Sequence, residues 1–419
     1  MSEKNKNWAI YGSGISMDSY FIKNLLKGEA SEPFQYLKGK NGVLFSNYTL
    51  DQFIKEEVIH DDYSLSQNSH RSILTFSSGE QKKALFNYLL SKKPDFIILD
   101  NAFDMLDQES RKHLMLRLKQ LSEKMMIIQI FRRKDRILPF IKNIVRFQDG
   151  KILFMGTISE YEQKFINLNN FSVNGSIPQA SVEFESMSNP LIEFKNVSVS
   201  YGERKILNNI CWKIKQGEFW QLTGPNGSGK TTLLTMVTGD NPKAYGQNLT
   251  LFGRKKGSGE SIWDIKKKIG YVTPAMTVLF KGSHTVENMV ISGLYDSIGL
   301  YTEPKTLEKK LAARWIDFIG MTDLKYKWFS DISEEKQCMV LIARSMIKHP
   351  PLLILDEPTH GLGDHNVIIL TTLINKIAKE SQTAIIFVAH KSEKGLNPEF
   401  TYELMPGERG SVGKVEQHD

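Results

Sequence analysis

The run Gly224-Pro225-Asn226-Gly227-Ser228-Gly229-Lys230-Thr231-Thr232 decides how the rest of the chain is read. It fits the spacing G-x-x-x-x-G-K-[ST]. Glycines at 224 and 229 let the backbone curl tightly and turn its N–H groups toward phosphate oxygens. A strand-like run, Glu218 to Thr223, leads in. A helix-like run, Thr231 to Thr238, leads out, and its positive end adds to the same anion site. Lys230 supplies a point charge for the outer phosphates, and Thr231 offers a hydroxyl to Mg²⁺. The stretch reads as a nucleotide phosphate-binding loop that takes ATP. The bland alternative, a mere Gly-rich turn, does not account for its place between strand and helix.

Farther along, the apolar run Leu352 to Leu355 ends in Asp356-Glu357-Pro358, and the run Ala384 to Ala389 ends in His390. Apolar strands alternating with helical patterns indicate a parallel α/β sheet. At the end of its strand Asp356 can hold Mg²⁺ through water, and Glu357 can polarise the attacking water as a general base. An Asp-Glu pair after an apolar strand also suits a helix N-cap. His390 is placed to contact a γ-phosphate, although a lone histidine there is often structural. Tyr201, ahead of the loop, can stack on adenine or simply be an exposed strand tyrosine.

The same order of signals recurs in the first half. Trp8 to Tyr11 leads into Gly12-Ser13-Gly14 and a helix-like run, Tyr20 to Leu26. Phe76-Ser77-Ser78-Gly79-Glu80-Gln81 follows, and then Phe96 to Leu99 ends in Asp100-Asn101. A further run, Met125 to Ile130, ends without a histidine, whose place falls at Phe131 or Arg132. Between the halves lies a stretch rich in Asn, Ser, Gly and Gln, which reads as a linker. The expected organisation is a first domain at 1–167, a linker at 168–189 and a second domain at 190–419.

These residues resemble the ATP-binding cassette (ABC) ATPases, as two cassettes in tandem. The resemblance implies two P-loop NTPase domains with mostly parallel central sheets and helices on both faces, the first domain shortened. In that family each ATP is held between the phosphate loop of one cassette and the LSGGQ-type signature of the other. Matched to the family, the first loop carries Ile15 and Met17 at glycine positions and Asp18 at the lysine position. Exchanging + for − beside a phosphate is a swing of two charge units, each worth about 4 kcal/mol at about 4 Å in an effective dielectric near 20. Asn101 stands at the general-base position and cannot take a proton. The first signature is close to the family pattern, with Ser77 and the backbone at Gly79 able to present donors to ATP. The second signature, Ile332-Ser333-Glu334-Glu335-Lys336, carries two carboxylates in place of glycines. One composite site is therefore intact in both halves and the other broken in both, which implies intramolecular pairing of the two cassettes.

From Asp18 to Ser77 there are 59 positions, against 103 from Lys230 to Ser333. The deficit is expected in the helical subdomain, and the first domain has no room for an adenine-stacking strand before its loop. Within the family, Val290 to Tyr301, the short linker and the tandem order look most like the molybdate-transport-type ATP-binding proteins. That likeness implies an energising subunit whose membrane permease is a separate protein. The coupling glutamine expected after Val272 is replaced by Thr273 and Pro274, and the last D-loop aspartate by Gly363, while the first domain keeps Leu106-Asp107. Two other readings stand beside transport: a soluble switch acting on ribosomes or nucleic acid, and a nucleotide-binding regulatory module with little turnover.

Composition bounds these readings. The chain has 419 residues, 41% apolar and 24% charged, with a net charge of +7 spread along its length. That is the balance of a globular protein with a sizeable core, and scattered lysines suit solvated faces better than a nucleic-acid track. Two distant cysteines, Cys211 and Cys338, exclude a disulfide framework and an iron–sulfur cassette. No run of about 18 apolar residues occurs, so the expectation is a cytoplasmic protein, peripheral to the inner face of the plasma membrane if it meets a permease.

Overall fold

A computed structural model describes residues 7–418 apart from 12–16, 18, 31, 67–71, 104–105, 107, 133–136, 149–150, 166–172, 174, 180–187 and 281–283. The chain divides into two compact units, Met1–Asn169 and Asn170–Asp419.

Among its described residues the first unit has six strands: β1 (Trp8–Tyr11), β2 (Gly42–Phe45), β3 (Phe96–Asp100), β4 (Met126–Phe131), β5 (Asn143–Gln148) and β6 (Lys151–Thr157). They lie in the order β2-β3-β4-β1-β5-β6, parallel except for β6. Strands β3 (FIILD) and β4 (MIIQIF) are buried at every position. Near-continuous apolar runs of this kind belong to parallel strands covered on both faces. Along β3, Ile97 and Leu99 enter one core while Phe96 and Ile98 enter the other. Each such side chain contributes about 1.5–3 kcal/mol by leaving water, so a charge at any of them would unseat a helix layer.

Among its described residues the second unit has ten strands: β7 (Ile192–Tyr201), β8 (Arg204–Ile214), β9 (Phe219–Thr223), β10 (Leu249–Leu251), β11 (Arg254–Lys255), β12 (Ile269–Val272), β13 (Leu352–Asp356), β14 (Ala384–Val388), β15 (Phe400–Met405) and β16 (Val412–Gln417). Its main sheet, β12-β13-β14-β9-β15-β16, has the same order and directions as the sheet of the first unit. A separate antiparallel sheet, β11-β10-β7-β8, has no counterpart among the described residues of the first unit.

Matching strand registers make the two units comparable residue by residue. Asp100 pairs with Ile130 as Asp356 pairs with Val388. Gly42 pairs with Phe96 as Ile269 pairs with Leu352, and Ile10 with Ile130 as Leu222 lies beside Val388. This corrects the expectation that the whole deficit falls in the helical subdomain. There are 35 positions from Gly42 to Ser77 against 64 from Ile269 to Ser333. A further part is lost earlier, with 32 positions from Ile10 to Gly42 against 47 from Leu222 to Ile269, where the second unit carries β10, β11 and the helix Ile262–Lys266. Counting between loop and signature sums both deletions; only the strand between them separates the two.

Of the expected linker, residues 168–172, 174 and 180–187 lie outside the described set. Val173 is buried in the core of the second unit, Ile177 packs against that core, and the Ile177 N–H donates to Glu380 Oε2 at 3.1 Å. These two apolar anchors are hidden in a polar composition. No helix among the described residues is long and apolar enough to cross a membrane.

Candidate functional site

The phosphate loop of the second unit joins β9 to the helix Lys230–Val237. Its backbone has positive φ at Gly224 (147°), Gly227 (75°) and Gly229 (98°). At Gly229 a Cβ would also stand 2.7 Å from Leu207 Cδ2, so this position needs glycine for conformation and for space. Pro225, Asn226 and Gly227 form the exposed crest, while Ser228 is buried. Lys230 folds back under the loop, its Nζ donating to the carbonyl oxygens of Gly224 (2.7 Å) and Pro225 (3.2 Å). Burial lowers its ammonium pKa, against the pull of Glu357 and Asp356. Ser228 Oγ is buried without a hydrogen-bond partner. A buried cation, an orphaned hydroxyl and a glycine-shaped turn fit a polyphosphate. Thr231, second residue of the helix, has an exposed side chain and Thr232 is half-buried.

Asp356 closes β13. Burial raises its pKa, and a hydrogen bond donated by Tyr271 Oη to Oδ2 (3.1 Å) opposes the shift. Oxygen donors at Asp356 and Thr231 suit a hard divalent ion such as Mg²⁺. Glu357 takes a left-handed backbone, φ 52°, and its N–H donates to the Val388 carbonyl at 3.0 Å. The next helix begins only at Asp364, capped by Gly363, so neither acid is a helix N-cap. His390 Nε2 lies 3.0 Å from Glu357 Oε1. That hydrogen bond holds the Glu357 carboxyl below the usual range, against the opposing effect of burial. A left-handed non-glycine residue at a strand end is strain of the sort found at functional positions.

Tyr201 ends β7 with its ring 46% exposed. Its hydroxyl accepts from Asn241 Nδ2 at 2.9 Å, and Lys243 Nζ stands 5.9 Å from the ring centroid. The ring is tethered yet open, compatible with either sequence reading.

In the first unit Ser77 caps the helix Ser78–Ser91, and Gly79 lies in its first turn. The cap is reciprocal: Ser77 N–H donates to Glu80 Oε2 at 2.7 Å, and the Glu80 N–H donates to Ser77 Oγ at 3.3 Å. Ser333 holds the matching place before the helix Glu334–Met346, where its Oγ donates to Glu335 Oε1 at 2.6 Å. Gln81 donates to the Ile73 carbonyl as Gln337 does to that of Phe329, four residues after and four before the serine in each case. The two signature segments are thus structural equivalents.

Asn101, at φ 49°, repeats the backbone of Glu357 with an amide in place of the acid. The register of β3 on β4 puts Arg132, not Phe131, at the level of His390. Arg132 Nη1 lies 3.1 Å from Asp100 Oδ1, and Lys82 Nζ donates to the Asn101 carbonyl at 3.0 Å. Met17 is described and buried. Gly12, Ser13, Gly14, Ile15, Ser16, Asp18 and Asp107 lie outside the described residues. Sequence reasoning missed Tyr271, Lys82 and the partner of Arg132, because each meets its neighbour only through strand register or helix docking.

A family model described as ABC transporter matches residues 207–360. The ABC transporter ATP-binding protein ModF of Escherichia coli is 37% identical over 327 residues, covering 76% of this chain and 67% of that protein. The chain belongs to the ATP-binding cassette family. An uncharacterised ABC transporter ATP-binding protein of Schizosaccharomyces pombe is 30% identical over 359 residues, covering 84% and 73% of the two chains. A Saccharomyces cerevisiae relative of the same description is 25% identical over 404 residues, 86% and 74%. As a member of the ABC family the chain is an ATP hydrolase. The fold has the family's α/β cassette form twice, the first copy shortened.

Proposed function

We propose that the chain binds and hydrolyses MgATP at one composite site, formed by the loop of the second unit and the signature of the first. The observation that carries this reading is complementary loss. The second unit keeps Lys230, Asp356, Glu357 and His390 but has Glu334 and Glu335 in its signature. The first keeps Ser77 as a helix cap with Gly79 in the first turn, while Asn101 and the Arg132–Asp100 pair stand where a base and a histidine would act. In this reading Thr231 and Asp356 hold Mg²⁺, which would draw charge from the phosphates. Gly224 to Thr232 surround the phosphates, Tyr201 stacks on adenine, Glu357 takes the proton of the attacking water and His390 contacts the γ-phosphate.

The role we assign is the energising subunit of a transport system with separate membrane permease subunits, of the molybdate type. The likeness to a protein named as an ABC transporter ATP-binding protein supports it. The second reading, a soluble switch on ribosomes or nucleic acid, is favoured by Pro274 at the coupling-glutamine place and by the short segment between β2 and Ser77. A regulatory module with little turnover is disfavoured by the paired Glu357 and His390.

The test compares two charge insertions. Ser77→Arg abolishes ATPase activity while Glu335→Arg leaves it largely intact; equal activity in both variants overturns the composite site. Co-purification from membranes rather than ribosomes separates the transport and switch readings.

A further inference from the structure

Tyr271 lies on β12, two positions before Thr273, and pairs in register with Ile354 on β13. From there its hydroxyl reaches forward to donate to Asp356 Oδ2 at 3.1 Å. The corresponding place in the first unit is Leu44, which pairs with Ile98 two positions before Asp100. Leucine has no donor, and there a guanidinium, that of Arg132, binds Asp100. Two equivalent strand-end carboxylates thus have chemically different partners. A guanidinium cancels the carboxylate charge. A neutral hydroxyl fixes one oxygen and leaves the full negative charge in place.

We propose that Tyr271 is a positioning residue for the divalent cation of the second unit. It holds Asp356 in one orientation, with its charge and its Oδ1 left for the metal's water shell. The inference rests on the reading of Asp356 as the metal-holding carboxylate. The terminal torsion of an aspartate is broad and nearly two-fold, so without a donor the carboxylate samples orientations that do not serve the ion. Partners that orient a metal-holding group in this way typically change metal affinity by about 10–100-fold when removed.

Tyr271→Phe keeps the ring and its burial and deletes only the hydroxyl. Binding of a fluorescent ATP analogue is followed as Mg²⁺ is titrated, beside ATPase rate against Mg²⁺ and thermal melting without nucleotide. The expected result is a half-saturating Mg²⁺ concentration raised about tenfold in both titrations, with metal-free nucleotide binding unchanged. Asp356→Asn is the companion variant. If Asp356→Asn shifts the Mg²⁺ requirement and Tyr271→Phe does not, the role of Tyr271 is overturned. If Asp356→Asn itself leaves the requirement unshifted, the metal reading of Asp356 fails and the inference falls with it. A Tyr271→Phe protein that melts earlier at unchanged Mg²⁺ requirement shows a packing role alone, which also overturns the proposal.

Discussion

Arg132 and Asp100 form an ion pair, Nη1 to Oδ1 3.1 Å, at the carboxyl end of the first unit's sheet. At the same level of the second unit His390 lies 3.0 Å from Glu357. One sheet ends in a carboxylate paired with a histidine, the other in an amide and a cation that holds the strand-end carboxylate. The first arrangement is the one proposed above to take a proton from water. The second neutralises a buried aspartate and holds the strand ends together.

Arg132→Ala leaves Asp100, 7% exposed, without its guanidinium. Loss of one partner of a buried charged hydrogen bond costs about 1–3 kcal/mol. Hydrogen exchange at β3 and β4 amides is expected to quicken accordingly. Adding Asp100→Asn recovers part of the loss, because the buried carboxylate charge that Arg132 met is then gone. Unaltered exchange in the single variant would show that the pair is stabilised by nothing more than chance proximity.

Glu357→Gln keeps the size of the side chain and removes the proton acceptor. Turnover is expected to fall by about 10²–10⁴-fold with nucleotide binding retained, so the variant traps ATP that the parent consumes. A filter-binding assay paired with phosphate release checks this. Near-parental phosphate release rules Glu357 out as the base.

Glu80→Gln addresses the signature cap, in which Ser77 Oγ donates to the Glu80 carboxylate. Gln serves the same reciprocal cap, so the helix should be no less stable. Removing a negative charge beside the proposed γ-phosphate position is worth about 1 kcal/mol in a wet environment. A fall of about fivefold in the KM for ATP follows. A KM that stays level or rises argues against a phosphate near this turn.

His390→Gln tests the pair with Glu357 through pH. The His390 hydrogen bond lowers the Glu357 pKa in the folded protein. A lowered carboxyl pKa adds stability that is complete above the ordinary glutamate value near 4.3 and fades as pH falls through the lowered one. The parent should therefore melt above the variant at about pH 5.5, with the gap closing toward about pH 3.5. Both side chains are partly exposed, so the gap stays below about 1 kcal/mol. A gap that widens on acidification contradicts the assignment.

Much of this was legible in the linear chain. The strands Trp8–Tyr11 and Leu352–Asp356, the helix Tyr20–Leu26 and the loop from Gly224 to Thr232 follow from apolar period and glycine spacing. These are local properties: a buried parallel strand must be apolar throughout, and a tight anion-binding turn must carry glycine. The tandem order was equally visible, since a repeat is a property of the sequence itself. Asp356 and Glu357, by contrast, remained open to a capping role until the next helix was found to begin at Asp364.

Which groups meet is set by packing between distant elements. Arg132 rather than Phe131 stands level with His390 because the parallel pairing of β3 on β4 sets the register, and one residue of slip would turn the side chain to the other face. Tyr271 reaches Asp356 across 85 positions of sequence, and Lys82 reaches Asn101 from a neighbouring helix. Such contacts depend on strand order and helix docking, which arise from burial of whole faces and leave no local mark. Local composition and spacing set the elements and the chemistry each unit keeps or has lost. The packing of the sheets determined which partner each carboxylate has: a tyrosine hydroxyl at Asp356, an arginine at Asp100.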